Sequence, residues 1–172
     1  LYLQGPPGSG KTYQSANAII ELLKNNKKIA VTANSHKVIH NLLERVENLA
    51  NKQKYVFKGL KMGNPDNEDT FYDGNLIKTD KNEKHYIDGL KDNKILLYAG
   101  TKYHLSQWYY QNKLDYLFVD EASQISVADL IALGGIAKNI VLVGDQQQLG
   151  QPTQGSHPND SGKSVLDYLL ED

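Results

Sequence analysis

The run Gly5-Pro6-Pro7-Gly8-Ser9-Gly10-Lys11-Thr12 has the spacing G-x-x-x-x-G-K-[ST], and each of its residue types answers a need of a phosphate-binding loop. Glycines allow backbone N–H groups to close around phosphate oxygens, and the positive end of a following helix adds to their potential. Lys11 is placed to reach β- and γ-phosphates, and the Thr12 hydroxyl to ligate Mg²⁺. The pattern demands a strand before it and a helix after it. Residues 1–4 read as the end of a buried strand, and residues 11–23 as a helix with Tyr13, Ala16, Ile19, Ile20 and Leu23 on one face. A second candidate, Gly162-Lys163-Ser164, fails because His157 stands where the loop's first glycine belongs, and it reads as the start of a helix.

Two further polar clusters follow apolar strands. Leu117-Phe118-Val119-Asp120-Glu121 delivers two carboxylates to a strand end. Asp120 would hold the Mg²⁺ shell, and Glu121 would orient and deprotonate an attacking water. Alone, the pair reads equally well as acids at a turn or a helix N-terminus; the phosphate loop favours the chemical reading. Val141-Leu142-Val143-Gly144-Asp145-Gln146-Gln147-Gln148-Leu149 brings a second polar loop, in which Gln148 could sense a γ-phosphate through its amide. On composition alone that run is a glutamine-rich surface turn.

The elements that must position these residues alternate in a βαβ manner, which predicts an α/β fold with a mainly parallel sheet flanked by helices. Strands are expected at residues 28–33, 95–99, 116–119 and 140–143. Helices are expected at 36–49, where Ile39, Leu42, Leu43, Val46 and Leu49 keep helical spacing, and at 164–170. In such sheets ligands bind at the carboxyl ends of strands. Residues 51–93 are rich in Lys, Asp and Asn, with too few apolar residues for a core of their own, and read as an insertion: a solvated excursion with a short hairpin or two.

The 172 residues carry a net charge of -1, so any contact with nucleic acid must be local. There is no cysteine, which excludes disulfides and thiolate chemistry and fits a reducing, cytoplasmic setting. The apolar runs are far shorter than the roughly 20 residues that cross a bilayer, so no membrane partner is expected. The chain begins at Leu1, four residues before the loop glycine, and reads as a fragment of a longer protein without a signal peptide.

Taken in order, the phosphate loop, Val31-Thr32-Ala33-Asn34-Ser35-His36-Lys37, Ala99-Gly100-Thr101, Val119-Asp120-Glu121-Ala122-Ser123-Gln124 and Gly144-Asp145-Gln146-Gln147-Gln148-Leu149 resemble motifs I, Ia, Ic, II and III of superfamily 1 DNA/RNA helicases, B-type branch. The tail Gln154-Gly155-Ser156-His157-Pro158 and the Ser-His-Lys after the second strand are most similar to bacterial members fused to a nuclease domain of the exonuclease V (RecB-like) type. The resemblance implies that residues 1–172 are the first RecA-like lobe of an ATP-driven, 5′ to 3′ motor acting on single-stranded DNA or RNA. It implies ATP and Mg²⁺ as cofactors, a second RecA-like lobe in the parent chain and a fused nuclease as a further neighbour. Residue by residue it implies Lys11 and Thr12 for phosphate and magnesium, Asp120 and Glu121 for magnesium and water, and Gln148 for the γ-phosphate. Ser35, His36, Lys37, Gly100 and Thr101 carry over to backbone contacts with the strand, which a helix N-terminus and a strand-end Gly-Thr can make without reading sequence. Gln146 and Gly150 depart from the family, which often has proline in that loop. The glutamine that selects adenine would lie ahead of Leu1.

Several residues keep an open reading. His36 and His40 are spaced i, i+4 but lack the Glu of a zinc helix, so His36 reads as a cap, a surface residue or a nucleic-acid contact. Trp108, Tyr109 and Tyr110 could stack bases but fit lobe packing better. Arg45, the sole arginine, follows motif Ia in the second helix and reads as a surface or packing residue. Phosphoryl transfer in such ATPases usually needs an arginine worth roughly 10³ to 10⁵ in rate, which the resemblance places on the second lobe. Weak nucleotide binding and poor hydrolysis are therefore expected of this chain alone. Two alternatives are a phosphate-loop ATPase acting as a loader or switch, and a vestigial nucleotide-binding module.

Overall fold

The computed structural model describes residues 1–6, 8–145 and 163–169. Among these, seven strands form one sheet: β1 (Tyr2–Gln4), β2 (Ile29–Thr32), β3 (Gly59–Met62), β4 (Ile77–Asp80), β5 (Leu97–Ala99), β6 (Leu114–Val119) and β7 (Ala137–Gly144). Their order is β1-β7-β6-β2-β5-β3-β4, with every neighbouring pair parallel. The helices are α1 (Lys11–Lys24), α2 (His36–Lys52), α3 (Glu83–Asp92), α4 (Lys102–Leu105), α5 (Val127–Leu133) and α6 (Val165–Leu169). The α/β architecture expected from the alternation is the one observed.

The central strand β2, Ile-Ala-Val-Thr, is buried along its whole length because both sheet faces are covered. Ile29 and Val31 point toward α1 and α2, whose Ala16, Ile19, Ile20, Leu23, Ile39, Leu42, Leu43 and Val46 form one core. Ala30 faces the opposite core, built from Tyr86, Leu90, Leu105, Tyr109, Tyr110, Leu133 and Leu166. Two apolar stripes at helical spacing thus close one side of the sheet, and shorter helices close the other. The helix starts are set locally. The Ser35 hydroxyl accepts from the Val38 amide at 3.3 Å to cap α2, and Ser126 with Asp129 forms a capping box on α5.

The stretch 51–93 departs from its expected form. One short antiparallel bridge, Asp73 with Lys78, fits the expected hairpin, but the stretch is not a solvated excursion: β3 pairs in parallel with β5, and β4 with β3, so both extend the main sheet. α3 then covers the second core through Tyr86 and Leu90. The attachment is polar. The buried Glu47 carboxylate on α2 accepts from the backbone amides of Asn75 at 3.2 Å, Leu76 at 2.7 Å and Ile77 at 2.7 Å. The buried Lys61 ammonium donates to the Thr70 carbonyl.

Truncating the Glu47 carboxylate strands three amides in a protected position, at about 1–3 kcal/mol for an unsatisfied group. Glu47→Ala is expected to lower the unfolding free energy by at least about 2 kcal/mol, with Glu47→Gln retaining part of it. A denaturant titration in which Glu47→Ala matches the parent chain would contradict this account.

Candidate functional site

Parallel strands bring the carboxyl ends of β1, β6 and β7 to one edge, where the phosphate loop, the acid pair and the end of β7 meet. Gly5 follows β1 under a steric constraint: a Cβ there would lie 2.5 Å from Ser9 Oγ. Gly8 and Gly10 have φ of +79° and +85°, a region that side-chain-bearing residues rarely adopt, and Gly10 leads directly into α1. The Ser9 amide closes the loop by donating to the Pro6 carbonyl at 3.2 Å. The Lys11 ammonium turns back on its own loop, donating to the carbonyls of Gly5 and, at 2.9 Å, of Pro6. Pro7 lies outside the described residues.

Asp120 leaves β6 with its amide donating to the Thr32 carbonyl at 2.9 Å, which fixes it beside the end of β2. It is 8% exposed. Burial pushes its carboxyl up from the ordinary 3.8 to about 6; the amide of Glu121 pulls it down, the Glu121 charge pushes it up and the Lys11 charge pulls it down. Glu121 itself has φ +51°, uncommon for a residue with a side chain, and its amide donates to Asp120 Oδ1 at 2.9 Å. Gly144 ends β7 so close to this turn that a Cβ would sit 3.3 Å from the Ala122 amide nitrogen and 2.9 Å from Leu166 Cδ1.

Gly8, Lys11, Thr12, Asp120, Glu121 and Gly144, with Val38 and Asn41 from α2, line one cavity of about 190 Å³. The loop lysine and threonine, the acid pair and the end of β7 are therefore together. Gln148 and its neighbours Gln146, Gln147, Leu149 and Gly150 lie outside the described residues, as do Gln154 to Pro158. The residues present fit Mg²⁺ rather than a metal held by protein alone. No cluster of three or more His, Asp or Glu suited to a metal occurs among the described residues, whereas Mg²⁺ takes one or two protein oxygens and completes its shell with phosphate and water.

The candidate strand-binding residues lie on the same edge. Ser35 is the N-cap of α2, so its hydroxyl is engaged, whereas Lys37 beyond it is exposed. His36 is half-buried, with Nδ1 unpartnered and its basicity lowered by burial and by Lys61. Gly100 follows β5 with its amide on the Val31 carbonyl at 3.1 Å, and a Cβ there would meet His104 Cδ2 at 2.7 Å. Thr101 starts α4 without using its hydroxyl as a cap. The aromatic trio divides: Tyr109 and Tyr110 are core residues beside His104, and Trp108 is 73% exposed.

Sequence reading missed the contribution of α2 to the cavities beside the phosphate loop. Val38 and Asn41 line the cavity with the acid pair, and Arg45, one turn further, lines a second cavity of about 390 Å³ with Gly8, Gly10, Lys11, Thr12 and Tyr13. The signal was the i, i+3, i+7 spacing of the three residues, masked because Asn41 falls on the polar side of the helix.

The profile of the AAA-domain family matches residues 1–161. The chain belongs to that family. It is similar to the DNA replication ATP-dependent helicase/nuclease dna2 of Schizosaccharomyces pombe, 27% identical over 166 residues, covering 96% of this chain and 12% of that protein. It therefore spans about an eighth of that relative's length. Among solved structures it resembles the DUF1998 helicase MrfA bound to DNA (TM-score 0.58, 19% identity, 84% of this chain and 20% of that one). It also resembles the arterivirus nonstructural protein 10 helicase with DNA (TM-score 0.56, 16% identity, 91% and 31%). At such identities the structural likeness establishes the RecA-like fold. The family match and the sequence likeness to the helicase/nuclease relative bear out the likeness to a superfamily 1 helicase lobe drawn from the motifs. The chain is an AAA-family domain with a helicase-like fold. Among the described residues no helix is long and apolar enough to cross a membrane.

A buried carboxyl with a folded value near 6 and an unfolded value near 4 favours its protonated form in the fold. The nucleotide-free chain then loses stability as pH rises from about 4 through 6, and the penalty persists above. Asp120→Asn is expected to raise stability at pH 7.5, without nucleotide or metal, by about 1–3 kcal/mol, and to change it little at pH 4. Equal thermal midpoints for the two chains at pH 7.5 would refute this.

Proposed function

We propose that this chain is the ATP-binding lobe of a superfamily 1 helicase that moves on single-stranded DNA and works with a second RecA-like lobe of its parent protein. The observation that carries the reading is the shared cavity, in which Gly8, Lys11 and Thr12 face Asp120, Glu121 and Gly144. In the bound state Lys11 exchanges the Gly5 and Pro6 carbonyls for phosphate oxygens, helped by loop amides whose direction Gly8 and Gly10 set. The Thr12 hydroxyl and the Asp120 carboxylate would hold Mg²⁺, which would neutralise phosphate charge. Glu121, carried past Asp120 by its left-handed backbone, takes a proton from the attacking water. Gln148 registers the γ-phosphate.

Ser35, His36, Lys37, Gly100 and Thr101 hold the strand's backbone from the α2 and β5 ends, contacts that carry no sequence information. The DNA assignment is supported by the replication helicase/nuclease relative, and a nuclease domain in the parent by the same likeness. The stabilising arginine of the transition state comes from the other lobe, so this lobe alone hydrolyses ATP slowly.

The test is ATPase activity of the parent protein with and without single-stranded DNA. Lys11→Ala is expected to abolish nucleotide binding. Glu121→Gln should keep binding and cut turnover by about 10² to 10⁴, and the 172-residue chain should turn over slowly and without response to DNA. Unchanged turnover in both variants would remove the site assignment. Turnover indifferent to DNA in the parent would favour a loader or switch.

A further inference from the structure

The single arginine of the chain sits at the nucleotide cleft. Arg45 is exposed, and among the described residues no hydrogen bond, ion pair or ring contact engages its guanidinium. Five residues of the phosphate loop and the first turn of α1, namely Gly8, Gly10, Lys11, Thr12 and Tyr13, share a cavity of about 390 Å³ with it. Gly8, Lys11 and Thr12 also line the cavity of the acid pair. The two cavities therefore flank one loop.

The direction along α2 orders them. Val38 and Asn41 face the Asp120 and Glu121 side, and Arg45, at i+7 from Val38 and i+4 from Asn41, faces the Tyr13 side on the same stripe of the helix. A polyphosphate seated on the loop amides with its terminal phosphate toward the acid pair must send its first phosphate and nucleoside toward Tyr13. There, among the described residues lining the cavity, the cation added to Lys11 is Arg45, and the Tyr13 ring is 57% exposed.

We infer that Arg45 is a nucleotide-binding residue that grips the α-phosphate of a nucleoside di- or triphosphate from the same lobe. The inference rests on the nucleotide reading of the loop. A guanidinium suits the task because its fork can donate two parallel bonds to one phosphate. This is a different role from that of an arginine acting on the transferred phosphate. The α-phosphate is common to ATP and ADP and its charge does not change in the reaction, so Arg45 contributes equally to both ligands.

The experiment is calorimetric titration of the chain with MgADP and with a magnesium-bound non-hydrolysable ATP analogue, for the parent sequence, Arg45→Ala, Arg45→Lys and Lys11→Ala. Arg45→Ala is expected to weaken both ligands by the same factor, about tenfold. Arg45→Lys should recover part of the loss, with unfolding midpoints unchanged because the side chain is exposed. Parent-like affinities in Arg45→Ala, or a loss confined to the triphosphate analogue, would overturn the inference. A parent chain that binds MgADP while Lys11→Ala does not keeps the site reading intact whatever Arg45 does. No binding by the parent chain would sink both.

Discussion

Everything this lobe can do depends on its strands running in one direction. A parallel sheet has two unlike edges, and every turn that leaves a strand's carboxyl end emerges on the same one. The register of β6 with β7 sets Val119 opposite Leu142, and that of β6 with β2 sets it opposite Thr32. Asp120 therefore appears level with the end of β2, and Gly144 presses on the turn that follows. A reversed strand anywhere in β1-β7-β6-β2 would send one component of the cavity to the far side of the sheet. The same constraint explains why α1 and α2 can both serve the cleft: each begins at that edge and lies against the same sheet face.

The extension β3-β4 obeys this rule too, but its sequence hides it. Gly59-Leu60-Lys61-Met62 has no β-branched residue, and Ile77-Lys78-Thr79-Asp80 has a single apolar residue and so no apolar run to register as a buried strand. Lys61 is wholly buried, against the ordinary preference of lysine for the surface. What fixes these strands is remote in sequence: the Glu47 carboxylate some thirty residues earlier collects three amides at the start of β4. Such a bond between distant positions leaves no periodic trace. By contrast, β2, α1 and the apolar side of α2 were legible because burial against a continuous core imposes a period on them.

At the cleft, the elements with local chemistry were legible and the one with none was not. Gly8 and Gly10 stand out because residues with side chains rarely adopt their backbone angles, and Asp120-Glu121 because the phosphate loop tips an otherwise even reading of two acids at a strand end. The α2 stripe of Val38, Asn41 and Arg45 has no such mark. Each residue is ordinary for a helix surface, and only the packing of α2 beside α1 turns that surface toward the loop. Sequence could place Ser35 at the start of the helix, since a serine before an apolar-periodic run is a capping signal, but not the face that α2 presents afterwards.

The geometry also sets function against stability. Asp120 is held where its charge is least welcome, and Glu121 sits in a backbone region that costs of order 1–3 kcal/mol for a residue with a side chain. The Lys11 charge beside Asp120 offsets only part of that burden, because the ammonium is committed to the carbonyls of Gly5 and Pro6. On the proposed nucleotide reading a bound phosphate and its metal would relieve all three: the metal would supply the positive charge that Asp120 lacks, the phosphate would give Lys11 an ionised acceptor stronger than a carbonyl, and the left-handed turn would serve to place Glu121 beside them. Asp120 and Glu121 carry their unfavourable terms together at the cleft, while Glu47, Ser35 and the two apolar cores hold the scaffold independently of them. A fold arranged this way would gain from a ligand at two positions that strain it, which is a physical reason to read the cleft as a site and not as an irregularity of the sheet edge.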